Sequence, residues 1–457
     1  MKSKWLNAIV LLVLILGMFP FPAQAAPSAD TPDAPVETPG GRDDPPTIEV
    51  EPGLQRLSPN EEAGYLIYFR EKPDLSAAYE MDWEARGRYV VKQLQATAER
   101  SQADVRAHLD AQGVSYQAFW IDNVIVVESS PVRVMNQLTT FPEIEALLER
   151  RQPILHEPED ISPAAILMGI EPNISHVNTD QVWGLGYTGE GIVVANIDTG
   201  VRYTHDALVD QYRGNQGGGS FDHNYNWWDP YLGTTEPSDF HNHGSHTMGT
   251  MVGDDGGDNQ IGMAPGAQWI ACKSFEGGNV DAQLLECGQF MAAPWDLNGD
   301  NANPDLRPNV VNNSWGDCGQ TYDPWYEGVL AAWHAAGIYP VFSNGNASNC
   351  GYPQPPGLNT VGNPARSGDV TGVGSTGTSN GQYATYSNWG PTDNPDTVNP
   401  RGYPYLKPQV AAPGTNRSAY GTGNDSSYGG MSGTSMAAPH VAGLVALIWS
   451  AAPCLVG

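Results

Sequence analysis

From about residue 178 onward the chain alternates short apolar runs with longer helix-like stretches, and nothing else in the sequence limits the fold as much. Residues 267–272, 310–312 and 338–343 read as strands, and 280–293, 324–336 and 435–450 as helices. Strands that are apolar almost throughout suit a sheet covered on both faces, and helices between them suit parallel pairing by crossover. The predicted fold class is therefore α/β, a mostly parallel sheet with helices on both faces. About 280 residues are enough for one hydrophobic core of this kind.

Open sheets of this class assemble their sites at the carboxyl ends of the strands. Three segments carry chemistry suited to such an edge. Residues 191–201 form a nearly continuous apolar strand that delivers Asp198, followed by Thr199 and Gly200. His241-Asn242-His243-Gly244-Ser245-His246 supplies imidazoles, the usual general bases near neutral pH. Gly433-Thr434-Ser435-Met436-Ala437-Ala438-Pro439-His440 places a serine among small residues at the mouth of an apolar helix. A serine hydroxyl is a weak nucleophile unless a base and an anion-stabilising donor stand beside it.

Each segment has a plainer alternative. Asp198-Thr199-Gly200 also spells an aspartic-protease signature, but that chemistry needs two carboxylates and no second D-T-G or D-S-G is present. His241, His243 and His246 with Asp239 could form a zinc cluster, yet the chain holds no H-E-x-x-H. A small-residue helix start with Pro439 in its first turn is common in ordinary packing. The conjunction of acid, base and nucleophile in one chain order carries the reading.

In that order the chain resembles the subtilisin-like serine proteases, whose triad runs Asp, His, Ser. The resemblance implies peptide-bond hydrolysis with Asp198, His243 and Ser435 as the triad. It implies Asn346, in Val341-Phe342-Ser343-Asn344-Gly345-Asn346, as the oxyanion donor, with Ser343-Asn344 replacing the usual small apolar pair. It also implies that Ser314, Trp315 and Gly316 line the substrate cleft, where substrate backbone would pair as an added strand. Ser314-Trp315-Gly316-Asp317 stands where the family often has S-x-G-G and resembles the bacillopeptidase F-like branch. For Trp315 a buried core position is the alternative. Triad chemistry of this kind needs no cofactor.

The N-terminal part has a different organisation. Lys2 and Lys4 precede an apolar run over residues 8–19, and Ala23-Gln24-Ala25 offers a cleavage site, so residues 1–25 are expected to be a removable secretory signal. Residues 26–61, rich in proline and acid, are expected to be a disordered linker. Over residues 62–155 the predicted order is βαββαβ, a small α+β unit resembling the inhibitory propeptide of the same family. Residues 156–177 are read as a processing linker, and 178–457 as the catalytic domain. The family pattern continues beyond the serine helix, whereas this chain stops at Gly457, so the domain is expected to be truncated at its C-terminus.

The net charge of −29, from 22 basic and 51 acidic residues, disfavours nucleic-acid and anionic-membrane partners. Polypeptide substrates, the chain's own propeptide as intramolecular inhibitor, and a monomeric state are expected. The best local candidate for a structural calcium is the loop around Asp296, Asn298 and Asp300, with a solvated acidic turn as its alternative. Five cysteines leave the pairing open. Two functions remain: a secreted endopeptidase made as an inhibited zymogen, or an inactive or truncated relative that only binds polypeptide in its cleft.

Overall fold

Periodicity in the N-terminal strands explains the first of two packed units. The computed structural model describes residues 47–161, 169–378, 381–392 and 406–457. The predicted signal and most of the predicted linker, residues 1–46, lie outside them. The first unit comprises β1 (Glu49–Val50), β2 (Glu62–Phe69), α1 (Trp83–Gln112), β3 (Tyr116–Phe119), β4 (Val124–Pro131), α2 (Val132–Leu138) and β5 (Ile144–Glu149), with strand order β1-β5-β2-β4-β3. From β2 to β5 the element order is βαββαβ. The Asp82 carboxylate accepts from Ala85 N at 2.9 Å to open α1, and Gly113 closes it in the left-handed region at φ 67°.

Successive residues of these strands point to opposite faces. Tyr65, Ile67 and Phe69 of β2, with Ile125 and Val127 of β4, pack against Val105 and Leu109 of α1 and Leu138 of α2. Leu66, Tyr68, Val124 and Val126 join a second cluster that continues into the larger unit. Residues 47–61, expected to be disordered linker, are ordered. β1 pairs with Ala146 and Leu147, and one helical turn over Pro52–Gln55 buries Leu54 in the same core. The apolar residues Ile48, Val50 and Leu54, scattered among prolines and acids, are what the compositional reading passed over.

The larger unit is built on seven parallel strands. Two short strands lead into it, β6 (Ile154–Leu155) and β7 (Glu159–Ile161). The main sheet contains β8 (Val193–Asp198), β9 (Trp227–Trp228), β10 (Gln268–Lys273) and β11 (Val310–Asn313). After the short strand β12 (Trp315–Gly316) it continues with β13 (Tyr339–Ser343), β14 (Thr371–Thr376) and β15 (Val410–Pro413). A hairpin of β16 (Thr415–Ala419) and β17 (Tyr428–Ser432) follows. The main order is β9-β10-β8-β11-β13-β14-β15. All its pairs are parallel.

On one face lie α3 (His243–Val252) and, at the end of the chain, the last helix; on the other lie α4 (Val280–Ala292) and α5 (Glu327–Ala336). The last helix, α6 (Thr434–Ala451), is buried on most sides, which accounts for its nearly unbroken apolar sequence. Within each strand the faces divide by parity. Val194, Val310 and Val341 meet α3 and α6, while Ala195, Val311 and Phe342 join the α4 and α5 side.

Two disulfides form, Cys272–Cys287 and Cys318–Cys350, and Cys454 is free and exposed. In the candidate calcium loop the Asp296 carboxylate is engaged within the loop itself. Asp296 Oδ1 accepts from Asn298 N at 2.9 Å and Asp300 N at 3.1 Å, and Oδ2 accepts from Asn301 Nδ2 at 2.7 Å. Among the described residues no group of three or more His, Cys, Asp or Glu side chains is disposed to hold a metal. The Asp296 oxygens serve as turn acceptors.

Candidate active site

Register places the site. Asp198, at the carboxyl end of β8, lies opposite Lys273 of β10, and the neighbouring Ile197 lies opposite Asn313 of β11. Gly200 then turns with φ 100°, where a side chain is strained, and a Cβ there would sit 2.0 Å from Ser238 O. This tight turn lets α3 descend on the strand end. Gly244 N donates to Thr199 Oγ1 at 2.9 Å, bringing His243 Nδ1 to 2.7 Å from Asp198 Oδ1 with both side chains fully buried. Asp198 also accepts from Thr199 N at 2.8 Å.

The loop before α3 is organised by Asp239. Its buried carboxylate accepts from the backbone N of His241, Asn242 and Ser245 at 2.9, 3.0 and 2.9 Å and from Thr199 Oγ1 at 3.0 Å. It is a loop organiser, and this disposes of the zinc alternative. His246 is buried, and burial lowers its pKa to about 3.

Ser435 stands in the first turn of α6, but Pro439 is not in that turn: it lies five residues into the helix. It can offer no N–H to the Ser435 carbonyl one turn earlier. That carbonyl instead accepts from Ser314 Oγ at 3.1 Å, which ties the serine helix to the cleft strand. Asn346 Oδ1 accepts from Thr434 N and Thr434 Oγ1, both at 2.9 Å, so its Nδ2 is aimed at the space above Ser435.

That space is occupied by the chain itself. β6 lies antiparallel to β12, with Leu155 opposite Trp315 and Ile154 opposite Gly316, and His156 N donates to Ser314 O at 3.2 Å. The His156 carbonyl oxygen accepts from Ser435 Oγ at 2.7 Å and from Asn346 Nδ2 at 3.3 Å. Asn346 Nδ2 also donates to Glu157 O at 3.1 Å. On the far side β7 pairs antiparallel with β17, Glu159 opposite Ser432 and Ile161 opposite Gly430. A single strap, residues 150–161, thus crosses Ser435 with paired backbone on both sides. His243 Nε2 has no hydrogen-bond partner among the described residues, because the serine hydroxyl is turned to the strap carbonyl.

The predicted residues Asp198, His243, Ser435 and Asn346 therefore come together, as do Ser314 and the backbone of β12. The side chain of Trp315 faces away from the cleft, buried among Phe275, Trp325, Tyr326 and Phe342. Asp317 turns aside to accept from Asn363 N at 2.7 Å and Gly319 N at 2.9 Å. Residues 156–177, read as a linker, are engaged wherever they are described. Besides β7, Asn173 Nδ2 lies 2.9 Å from His440 Nε2. The sequence reading did not find His156, Glu157 or Ser343 as site residues, although the Ser343-Asn344 departure was a visible signal.

Chemically, the arrangement sets a hydroxyl against a peptide carbonyl that carries one side-chain amide donor. A buried imidazole–carboxylate pair lies nearby. This is the constellation needed for acyl transfer. The model of the subtilase family matches residues 189–456. Bacillopeptidase F of Bacillus subtilis (strain 168) is 39% identical over 375 residues, 79% of this chain and 25% of that protein, so the chain spans about a quarter of that relative. The thermostable alkaline protease of Halalkalibacterium halodurans is 29% identical over 72% of this chain and 78% of the relative. Fervidolysin from Fervidobacterium pennivorans, a keratinolytic enzyme related to subtilisin, shares the fold with a TM-score of 0.61 at 19% identity, over 89% of this chain and 57% of the other. With the family match running from the approach to β8 through α6, the chain belongs to the subtilase family.

Proposed function

We propose that the protein is a secreted serine endopeptidase made as an inhibited zymogen, with residues 62–155 as its propeptide and 178–457 as its catalytic domain. The observation that carries this reading is the His156 carbonyl oxygen, held by both Ser435 Oγ and Asn346 Nδ2 at the end of a strap paired along the cleft. The secretory part of the reading rests on Lys2, Lys4 and the apolar run that ends before Ala23-Gln24-Ala25.

In the reaction His243 Nε2 takes the Ser435 proton as Oγ attacks the His156 carbonyl carbon. Asp198 orients the ring and stabilises its cation. Charge passes to the carbonyl oxygen, where Asn346 Nδ2 donates. The C–N bond to Glu157 breaks, His243 returns the proton to the departing Glu157 nitrogen, and His156 remains as an acyl ester on Ser435. Water, deprotonated by His243, then releases the His156 carboxylate and regenerates the serine. The first turnover is thus self-cleavage between His156 and Glu157, and polypeptides follow in the same groove.

Intact mass of the purified protein, beside Ser435→Ala and with a serine-reactive fluorophosphonate, tests this. Loss of the segment ending at His156 and labelling only where Ser435 is present are expected. An unprocessed, unlabelled wild type would instead favour a relative that only binds polypeptide.

A further inference from the structure

The strap also presents two side chains to pockets beside Ser435. We propose that Ser343 and His241 are specificity-determining residues that direct cleavage to bonds with histidine on the acyl side and an acidic residue on the leaving side. This rests on the protease reading above and names the substrate class of the same site.

His156 is 1% exposed, and its Nδ1 lies 2.6 Å from the hydroxyl of Ser343, itself fully buried at the carboxyl end of β13. The ring sits in a slot whose walls are glycine. A Cβ on Gly316 would lie 2.9 Å from both His156 Cε1 and Nε2, and one on Gly345 would lie 3.4 Å from Nε2. The same point on Gly345 is 2.8 Å from Asn388 Nδ2. Both side-chain polar atoms of the buried Asn388, and His156 Nε2, lack partners among the described residues. The pocket is therefore narrow, flat and polar at its end. Burial lowers the His156 pKa to about 3, so the ring enters uncharged. An aliphatic side chain in this slot would leave the Ser343 hydroxyl facing carbon, the situation by which hydrogen-bonding sites reject apolar analogues.

Across the bond, Glu157 Oε1 lies 3.3 Å from His241 Nε2. Each shifts the other toward its charged form: the hydrogen bond to Glu157 raises the His241 pKa, and that to His241 lowers the Glu157 pKa. His241 is held by its backbone N–H to Asp239, so it stays in place when the leaving segment departs. Both side chains are about half exposed, so this selection is the weaker of the two.

The test uses the self-processed enzyme with active sites counted by fluorophosphonate. Quenched peptides Pro-Ile-Leu-X-Glu, with X as His, Leu, Phe or Lys, are compared with a Pro-Ile-Leu-His-Lys peptide. We expect kcat/KM for His to exceed that for Leu and Phe by about tenfold or more. Ser343→Ala should reduce the His-to-Leu ratio about tenfold, chiefly through KM. His241→Ala should reduce the Glu-to-Lys ratio about threefold. Leu or Phe cleaved as well as His by labelled wild-type enzyme overturns the inference even if neither variant folds. So does a Ser343→Ala enzyme that loses activity equally on all peptides. A protein that neither processes itself nor takes label overturns the protease reading, and this inference with it.

Discussion

The N-terminal sheet and the strap that follows it hold the larger unit by different physics. The sheet docks by area. Leu66, Tyr68, Val124 and Val126 merge with Leu284, Phe290 and Trp325 in one apolar cluster. Fixed polar contacts surround it: Tyr68 OH donates to Trp325 O at 2.6 Å, and Trp120 N donates to Gln289 Oε1 at 2.7 Å. Arg86 donates to the last carbonyls of α5, Ala335 O at 2.7 Å and His334 O at 2.6 Å, a cap supplied by the other unit. Arg151 bridges Asp323 at 2.6 Å and Glu51 at 3.0 Å.

The strap instead binds through backbone pairing and a few side chains in polar pockets. Cutting the chain at one carbonyl removes the strap's tether and leaves the docking area intact. On the zymogen reading proposed above, cleavage and release are therefore separate events, and a processed protein is expected to remain inhibited until the N-terminal unit leaves.

The largest effect should come from the strap side of this contrast. Ser435→Ala is expected to slow self-cleavage by about 10⁶-fold, leaving full-length protein by intact mass with the docking untouched. Asn346→Ala removes the donor to the His156 carbonyl and should lower the cleavage rate by about 10² to 10³, read as the half-time of the full-length band.

On the docking side, Leu66→Ala opens a hole in the shared cluster. Such truncations cost about 2–5 kcal/mol. The fragment ending at His156 should then separate faster after cleavage, seen as a shorter lag before peptide hydrolysis. An unchanged lag would mean that the strap, not the sheet, holds the complex.

The smallest effect concerns Asp122. It is buried against Gly328 of α5, where burial pushes its carboxyl up to about 8; Glu327 and Glu145 add to the rise and Lys72 opposes it. Because the docked value is raised, its favourable contribution is complete below the ordinary carboxylate range and is lost as pH climbs through about 8. Release of the N-terminal fragment should therefore quicken toward alkaline pH, and Asp122→Asn should flatten that dependence. A slope equally steep in the variant would assign it to another group.

How much was legible follows from how local each signal is. The strands around Asp198 and Val310 and the serine helix are visible because burial on two faces demands apolar runs. The βαββαβ order of the N-terminal unit shows in short apolar runs such as Tyr65 to Phe69, whose successive side chains enter two different cores. The ordered stretch 47–61 was hidden because only Ile48, Val50, Leu54 and Leu57 pack, and composition averaged them away. Trp315 shows the opposite difficulty: its backbone belongs to the cleft and its ring to the core. A residue name cannot separate the two.

By itself the sequence determined the alternating α/β architecture and the chemistry at the strand and helix ends. Asp198-Thr199-Gly200, His243 in its helix start and Ser435 before an apolar helix are local patterns with local physical causes. Tertiary structure alone decided which peptide bond lies under Ser435, what Ser343 and His241 touch, how four of the five cysteines pair, and that the Asp296 loop satisfies its own oxygens. The bond from Ser435 to His156 joins residues 279 apart in the chain. A contact of that span leaves no periodicity or spacing in the sequence, because it exists only once two surfaces distant in the chain have packed together.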